Sequence, residues 1–509
     1  MKKNLLYLIA FIVIGATSCR KIEEDGQIVI INGGGGGGST AQTITLRGRI
    51  DKDSVLRAGN NYILSGLVYI VNNATLTIQP GVTVKGESTG ASVAGLIITR
   101  GAKIVADGTA SSPIVFTSSS PTPRSGDWAG IVICGRANIN SAFNGNAGTY
   151  EVEGGINNSN GDGIAGGGTT PNDDDSSGVI RYVRIEYAGY AFQPDREINS
   201  LTMAAVGRKT VIDYVQINYA KDDAFEWFGG TVNCKHLIAY KTLDDDFDAD
   251  LGFSGNIQYG ICLRDSSIAD ISRSEAFECD NDAGGSGASP QTRAVFSNFT
   301  VIGPRATATS QGNSLFLAAA HVRRNTGISI MNSLFMGWSQ GILVDSRNGR
   351  GVELNIADST MRFKNNLIVG CNSTTTPDIS SMVFIAPATP NAVNNILPAW
   401  NTDSVRNRFL NPFFGNTVVA ITSGSSNQIP NSVNQYLIAP FNYSSPDFTP
   451  FGNAANPAVQ GANFTDVKLQ NAFFVKTLSL GGNATFRGAC GAAGIEGNWW
   501  RGWSSFVNN

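Results

Sequence analysis

From Thr43 onward, apolar residues alternate with polar ones in short runs, and glycine or proline closes most of them. The stretch "YIVNNATLTIQPGVTVKG" alternates, breaks at Pro80-Gly81 and alternates again. "GLIITRGAKIVADG", "SPIVFTS" and "GDWAGIVICGRANI" follow in the same style. A period of two with turn residues between runs predicts half-buried strands. With no helical pattern between them, the strands form either a sandwich or a solenoid, and internal repetition separates the two.

Repetition is present. "VRIEYAG" (Val183–Gly189) recurs as "VQINYAK" (Val215–Lys221), and "DDAFEWFGGTVN" (Asp222–Asn233) recurs as "DDDFDADLGFSGN" (Asp244–Asn256). The second offset, Asp222 to Asp244, is 22 residues, the length of one coil of a right-handed parallel β-helix. "NFTVIG", "NSLFMG" and "NNLIVG" begin at Asn298, Asn332 and Asn365, as stacked asparagines at equivalent turns would. The expectation is an all-β chain whose residues 43–509 form one parallel β-helix, with a tryptophan-rich C-terminal cap from about residue 480. Trp499, Trp500 and Trp503 in "NWWRGWSSF" suit either a stacking platform for sugar rings or a cap over the open end of the solenoid.

Composition narrows the partners. Among 509 residues, glycine contributes 59 and charged residues only 15%, which favours strands and turns over amphipathic helices. A net charge of −3 gives no bulk attraction to nucleic acid, and two histidines make a His-based zinc site improbable. A monomer is expected.

The N-terminus reads as an address. Met1-Lys2-Lys3, the apolar "LLYLIAFIVIGA" and "ATSC" have the layout of a secretory signal, with residues 1–18 removed. Cys19 after small residues resembles the lipobox of bacterial lipoproteins, with Ala16 where leucine is usual; a plain signal with an incidental cysteine is the other reading. "RKIEEDGQ" then resembles an outer-surface export tag, interrupted by Ile22, and "NGGGGGGST" within residues 19–42 is a flexible tether. Cys134, Cys234, Cys262, Cys279, Cys371 and Cys490 are scattered without metal-ligand spacing, most of them in apolar runs. They suit buried free thiols, with one or two disulfides as the alternative.

"ATLTIQPGVTVKG", "GDWAGIVICGRANI", "DDAFEWFGGTVN" with its second acidic coil, and "RGACGAAG…NWWRGWSSF" together resemble a family of Bacteroidetes-type surface lipoproteins with a β-helix body. The resemblance covers nearly the whole mature chain. It implies fold and an outer-membrane address, and brings no established activity.

The chemistry concentrates in "YKTLDDDFDADLGFSGN" (Tyr240–Asn256), where five aspartates fall in the seven positions Asp244 to Asp250. At the 22-residue offset, Asp222, Asp223 and Glu226 lie beside Asp244, Asp245 and Asp248, about 5 Å away on the next coil. "EAFECDNDAGG" can add Glu278, Asp280 and Asp282, while Phe225, Phe247 and Phe277 stack inward. Clustered carboxylates repel and raise one another's pKa values unless a cation intervenes, and an all-oxygen ligand set suits Ca²⁺. A solvated acidic turn, its aspartates bonding backbone amides, is the competing expectation.

A catalytic use would be a polysaccharide lyase or a glycoside hydrolase, with Lys221, Arg264, His321, Arg323 and Arg324 as available cations. His321, after "LFLAAA", reads more simply as a core-edge residue. "NTD" (Asn401–Asp403) lies downstream of the acidic pair, and neither a Gly-His-Gly nor an Arg-Ile-Lys occurs, so polygalacturonase-type signatures fail. A non-enzymatic surface protein binding glycan or another surface partner is the favoured expectation, and a carbohydrate-active enzyme the alternative.

Overall fold

A computed structural model describes residues 27–31, 41–90, 93–192, 197–305, 312–371, 381–386, 400–419 and 436–507. The signal region, Cys19 and most of the tether lie outside the described residues.

Among the described residues, one continuous sheet of 27 strands runs through the molecule. Its strands pair in parallel with the next coil, apart from Gln27–Ile31, which lies antiparallel on Thr43–Arg47 and covers the N-terminal edge. The coils build a right-handed parallel β-helix, as the repeats predict. The 22-residue offset is a true coil: Phe225 pairs with Phe247, and Val211 with Asn233.

Three faces result. One carries Gly95–Ile98, Ile131–Cys134, Leu201–Ala204, Phe225–Phe228, Phe247–Asp250, Phe277–Cys279, Ala320–Arg323 and Ile342–Asp345. The other two are the halves of long strands such as Gly178–Glu186, Val211–Asn218 and Asn233–Tyr240. Each long strand turns a corner at a residue with positive φ, and those residues stack in one column. Tyr182, Tyr214, His236 and Tyr259 (φ 49°, 53°, 52° and 67°) lead into Asn298, Asn332 and Asn365 (φ 60°, 55° and 56°). Asparagine tolerates this left-handed conformation, as the asparagine motifs anticipate; tyrosine and histidine do so less readily. Ring stacking offsets part of the strain, with centroids 4.3 Å apart for Tyr182–Tyr214 and 4.1 Å for Tyr214–His236.

The interior is a column of apolar side chains. Of the phenylalanines expected to stack inward, Phe225 and Phe247 do so at 5.7 Å and Phe277 follows at 5.3 Å with its ring tilted; Phe335–Phe363 at 5.7 Å and Phe363–Phe409 at 5.4 Å continue the column as tilted pairs. The six cysteines beyond Cys19 are free and buried.

The cap expectation needs correcting. Among the described residues, the far end is closed by the short helix Thr402–Phe409, whose Val405 and Phe409 enter the core; its start carries an Asn401–Ser404 capping box. The tryptophan segment lies instead along the side of the solenoid. Trp503 meets Tyr182 and Tyr214 edge-on, Trp499 packs on His236, and Arg184 and Gln216 donate hydrogen bonds to the carbonyls of Trp503 and Ser505. The tail is drawn there because the tyrosine corners leave a ring-lined apolar strip that must be covered. With Trp499, Trp500 and Trp503 all buried, that segment offers no exposed sugar platform.

Candidate functional site

Three consecutive strands of the first face are entered by the turns "DDAF", "DDDF" and "SEAF", which make it acidic. On three successive coils the residue two before the strand caps the turn of the following coil. Asn199 Oδ1 accepts from the Asp223 N–H at 3.2 Å, Asp223 Oδ1 from the Asp245 N–H at 2.9 Å, and Asp245 Oδ1 from the Glu275 N–H at 2.5 Å. This ladder is what the solvated-turn expectation foresaw for aspartate in turns, except that Asp223 and Asp245 are buried.

One residue later the chain turns inward. Asp246 and Arg264 are both 0% exposed and pair at 2.9 Å, with Phe316 and Trp338 flanking the guanidinium. Arg264 also donates to the carbonyls of Thr242 and Glu275. It therefore serves the core and cannot face a ligand.

On the outer side of the same face, Thr202, Glu226, Asp248, Glu278 and His321 stand in register on five successive coils. Glu226, Asp248, Glu278 and the turn residues form a cleft of about 460 Å³ lined by Glu153, Glu197, Asn199, Lys221, Asp222, Asp223, Glu226, Asp244, Asp245, Asp248, Asp270, Ile271, Ser272 and Glu278, with Thr202 and His321 beyond it. All six carboxylates singled out from the sequence converge there. Lys221 is the single amine among the described residues of the lining.

The electrostatics follow from that imbalance. Burial first, and then neighbouring negative charge, pushes Asp222, Asp223, Glu226, Asp245 and Asp248 far above the ordinary carboxylate range. Burial lifts Asp244 to about 7 even though Ser272 Oγ donates to it at 2.8 Å. Asp244 Oδ1 and Asp248 Oδ1 are sealed from solvent and have no hydrogen-bond partner. A buried carboxylate oxygen without a donor is costly, and a metal ion is one way to satisfy it.

Farther along the face the acids have built-in partners. His321 Nδ1 lies 3.1 Å from Glu275 and its Nε2 lies 3.3 Å from Asp345. Burial lowers its pKa, but the two carboxylates outweigh this and hold it at about 9, so the ring is an imidazolium. Arg323 pairs with Glu278 and, at 2.8 Å, with Asp280, which Arg324 also meets at 2.7 Å. His321 is thus buried, as a core-edge residue would be, yet it acts as an internal cation. Glu278 joins the cleft as expected. Asp280 does not, and Asp282 instead caps its own loop by accepting from Gly284 and Ser286.

Sequence reasoning passed over Glu275, although "EAF" repeats the "DAF" pattern that would have flagged it. Glu153, Glu197 and Asp270 come from loops with no repeat signal. Glu153 belongs to the long excursion between Cys134 and Gly178, which folds over the face through two small hairpins.

Coils, faces and an acid-lined cleft define a parallel β-helix protein with a polar site on one face. The chain belongs to the pectate-lyase-like β-helix domain family, whose model matches residues 48–403 and so includes every residue of the cleft. Comparison with curated proteins and with solved structures finds no match.

Proposed function

We propose that this is a surface lipoprotein, anchored in the outer membrane through Cys19 and facing the cell exterior. Its β-helix holds a divalent cation in the acidic cleft and through it binds an oxygen-rich ligand, a glycan. One observation carries the site: ten carboxylates against one amine in the described lining, with sealed oxygens on Asp244 and Asp248. The donors are all oxygen, which suits Ca²⁺. Asp222, Asp223, Glu226, Asp244 and Asp248 would hold it, with Asp245 completing the wall. Calcium takes six to eight oxygens, so positions on the open side of the cleft are left for water or ligand hydroxyls.

The test is the melting temperature of the full mature chain with millimolar Ca²⁺ and with EDTA. It should rise with the first and fall with the second, by about 2.7 kcal/mol of stability at a hundredfold excess over Kd. Glycan-array binding should vanish in EDTA. Indifference of both readouts to Ca²⁺ and EDTA would sink the cation reading. For the address, Cys19→Ala should leave an unlipidated precursor, and protease shaving of intact cells should remove the wild-type body.

A polysaccharide lyase is the second reading, favoured by Lys221, an amine beside a cation-binding cleft. Arg264, His321, Arg323 and Arg324 are committed to carboxylates and give it less support. Release of unsaturated sugars from an acidic polysaccharide would establish it in place of the binding role.

A further inference from the structure

We infer that a second, smaller pocket on this face binds a tetrahedral oxyanion, the sulfate or phosphate ester of a glycan. It lies beyond the acidic cleft, toward the C-terminal coils, and needs no cation. That the ester belongs to a glycan rests on the binding role proposed above; the pocket's selectivity for the oxyanion does not.

Arg323, Arg324 and Arg347, with Asp345 and Asn348, line a cavity of about 70 Å³. A water's share of the liquid is about 30 Å³, so this space admits a group of a few heavy atoms and excludes a sugar ring. Three guanidiniums against one carboxylate give the described lining a positive balance. The wider network balances only because Glu278 and Asp280, which hold Arg323 and Arg324, stand outside that lining.

Backbone geometry brings the three guanidiniums together. Neighbouring residues of a strand point to opposite faces, so Arg323 and Arg324 could not both reach one cavity from a regular strand. Arg324 has φ 47°, which ends the strand Ala320–Arg323 in the left-handed region and brings the second guanidinium to the side of the first. An arginine in that conformation is strained, and such strain gathers at ligand sites. Arg347 comes from the next coil, two residues beyond Asp345, which stands in register with Arg323.

The arginines are held but not used up. Arg323 donates from Nε to Asp280 at 2.8 Å and from an η nitrogen to Glu278. Arg324 donates from one η nitrogen to Asp280 at 2.7 Å, and Arg347 from Nε to Asp345 at 3.0 Å. A guanidinium carries five N–H donors, so each keeps donors for an acceptor in the cavity. The Arg324 Nε is sealed from solvent and meets no acceptor in the chain. A planar carboxylate matches one guanidinium fork. Three forks converging from two coils call for acceptor oxygens in several directions, which sulfate and phosphate have.

The test titrates sodium sulfate into the full mature chain by calorimetry, in EDTA, so that the outcome of the cation reading does not touch the answer. One sulfate should bind per chain, and acetate clearly more weakly. Arg347→Gln should weaken sulfate by about tenfold or more, the loss of one charged hydrogen bond. Arg347 is half-exposed, so this variant keeps the fold. Arg324→Lys, which keeps the charge and loses the Nε donor, should weaken it too. Arg208→Gln, from a surface pair with Asp174, should bind as the wild type does. No saturable binding, equal binding of acetate, or unchanged affinity in Arg347→Gln would each overturn the pocket. Dextran sulfate should compete with inorganic sulfate and unsulfated dextran should not. Failure of dextran sulfate to compete would overturn the ester and make the occupant a free anion.

Discussion

The two ends of the acidic face solve the same problem differently. Toward the C-terminal coils, Glu275, Glu278, Asp280 and Asp345 are matched within the chain by His321, Arg323, Arg324 and Arg347. Toward the N-terminal coils, Asp222, Asp223, Glu226, Asp244 and Asp248 share a cleft with Lys221 alone among the described lining. Both ends sit on one face, in register, on coils a strand spacing apart. The fold therefore does not force the imbalance, because a histidine or an arginine fits the same column. A charge deficit kept at one end and cancelled at the other is what a ligand site needs and a structural ion-pair network does not.

The largest effect tests internal matching. Arg264→Met leaves Asp246 buried without its cation and should cost about 3–5 kcal/mol in urea unfolding. Ca²⁺ should not restore the loss, since Asp246 points into the core. Rescue by Ca²⁺ would mean that the inner and outer acids share one ion and that the division drawn between them is wrong.

Next in size is the pH response of the unmatched end. Carboxylates whose pKa is raised by folding favour the folded state fully below their unfolded values, near 4, and that contribution is lost as pH rises through the folded values. Asp244, raised to about 7, sets part of the window, and the more strongly raised acids extend it upward. In EDTA the melting temperature should therefore fall between about pH 5 and 8. Saturating Ca²⁺ should flatten that slope by favouring the ionised form. Asp345 at the matched end has its pKa lowered, burial being outweighed by hydrogen bonds from His321 and Arg347, and contributes with the opposite sign below pH 4. A melting temperature in EDTA that climbs across pH 5 to 8 would show that the cleft carries more compensating charge than its described lining.

The sequence made the coil and the acidic residues legible because both are periodic. The 22-residue offset placed Phe225 on Phe247 and Glu226 on Asp248, as the structure has them. Sites built by repetition can be read from repetition. Glu153, Glu197 and Asp270 could not be, since they reach the cleft from loops whose folding depends on tertiary contacts. The destination of the tryptophans is not legible for a related reason. Their partners, Tyr182, Tyr214 and His236, occupy the left-handed corner that asparagine fills in later coils, and only the asparagine motifs mark that corner in the sequence. The buried pairing of His321 was likewise hidden, because Glu275 and Asp345 lie 46 and 24 residues away.

The smallest effect separates the two ends most finely. Lys221 is the cleft's own positive charge in the described lining, so Lys221→Met should tighten Ca²⁺ binding. An ammonium near a cation at an effective dielectric between protein surface and water contributes about 1 kcal/mol or less of repulsion, so the gain should be a few-fold, shrinking as salt rises. At the matched end the same kind of change acts otherwise. Arg347→Ala should cost under about 1 kcal/mol, because this half-exposed arginine shares Asp345 with His321, and it should leave Ca²⁺ affinity unchanged. Titrating Ca²⁺ into both variants beside the wild type, at low and high salt, reads the contrast directly. Weaker binding in Lys221→Met would mean that its ammonium holds the acids in place for the ion. The cleft would then be matched from within, like its neighbour.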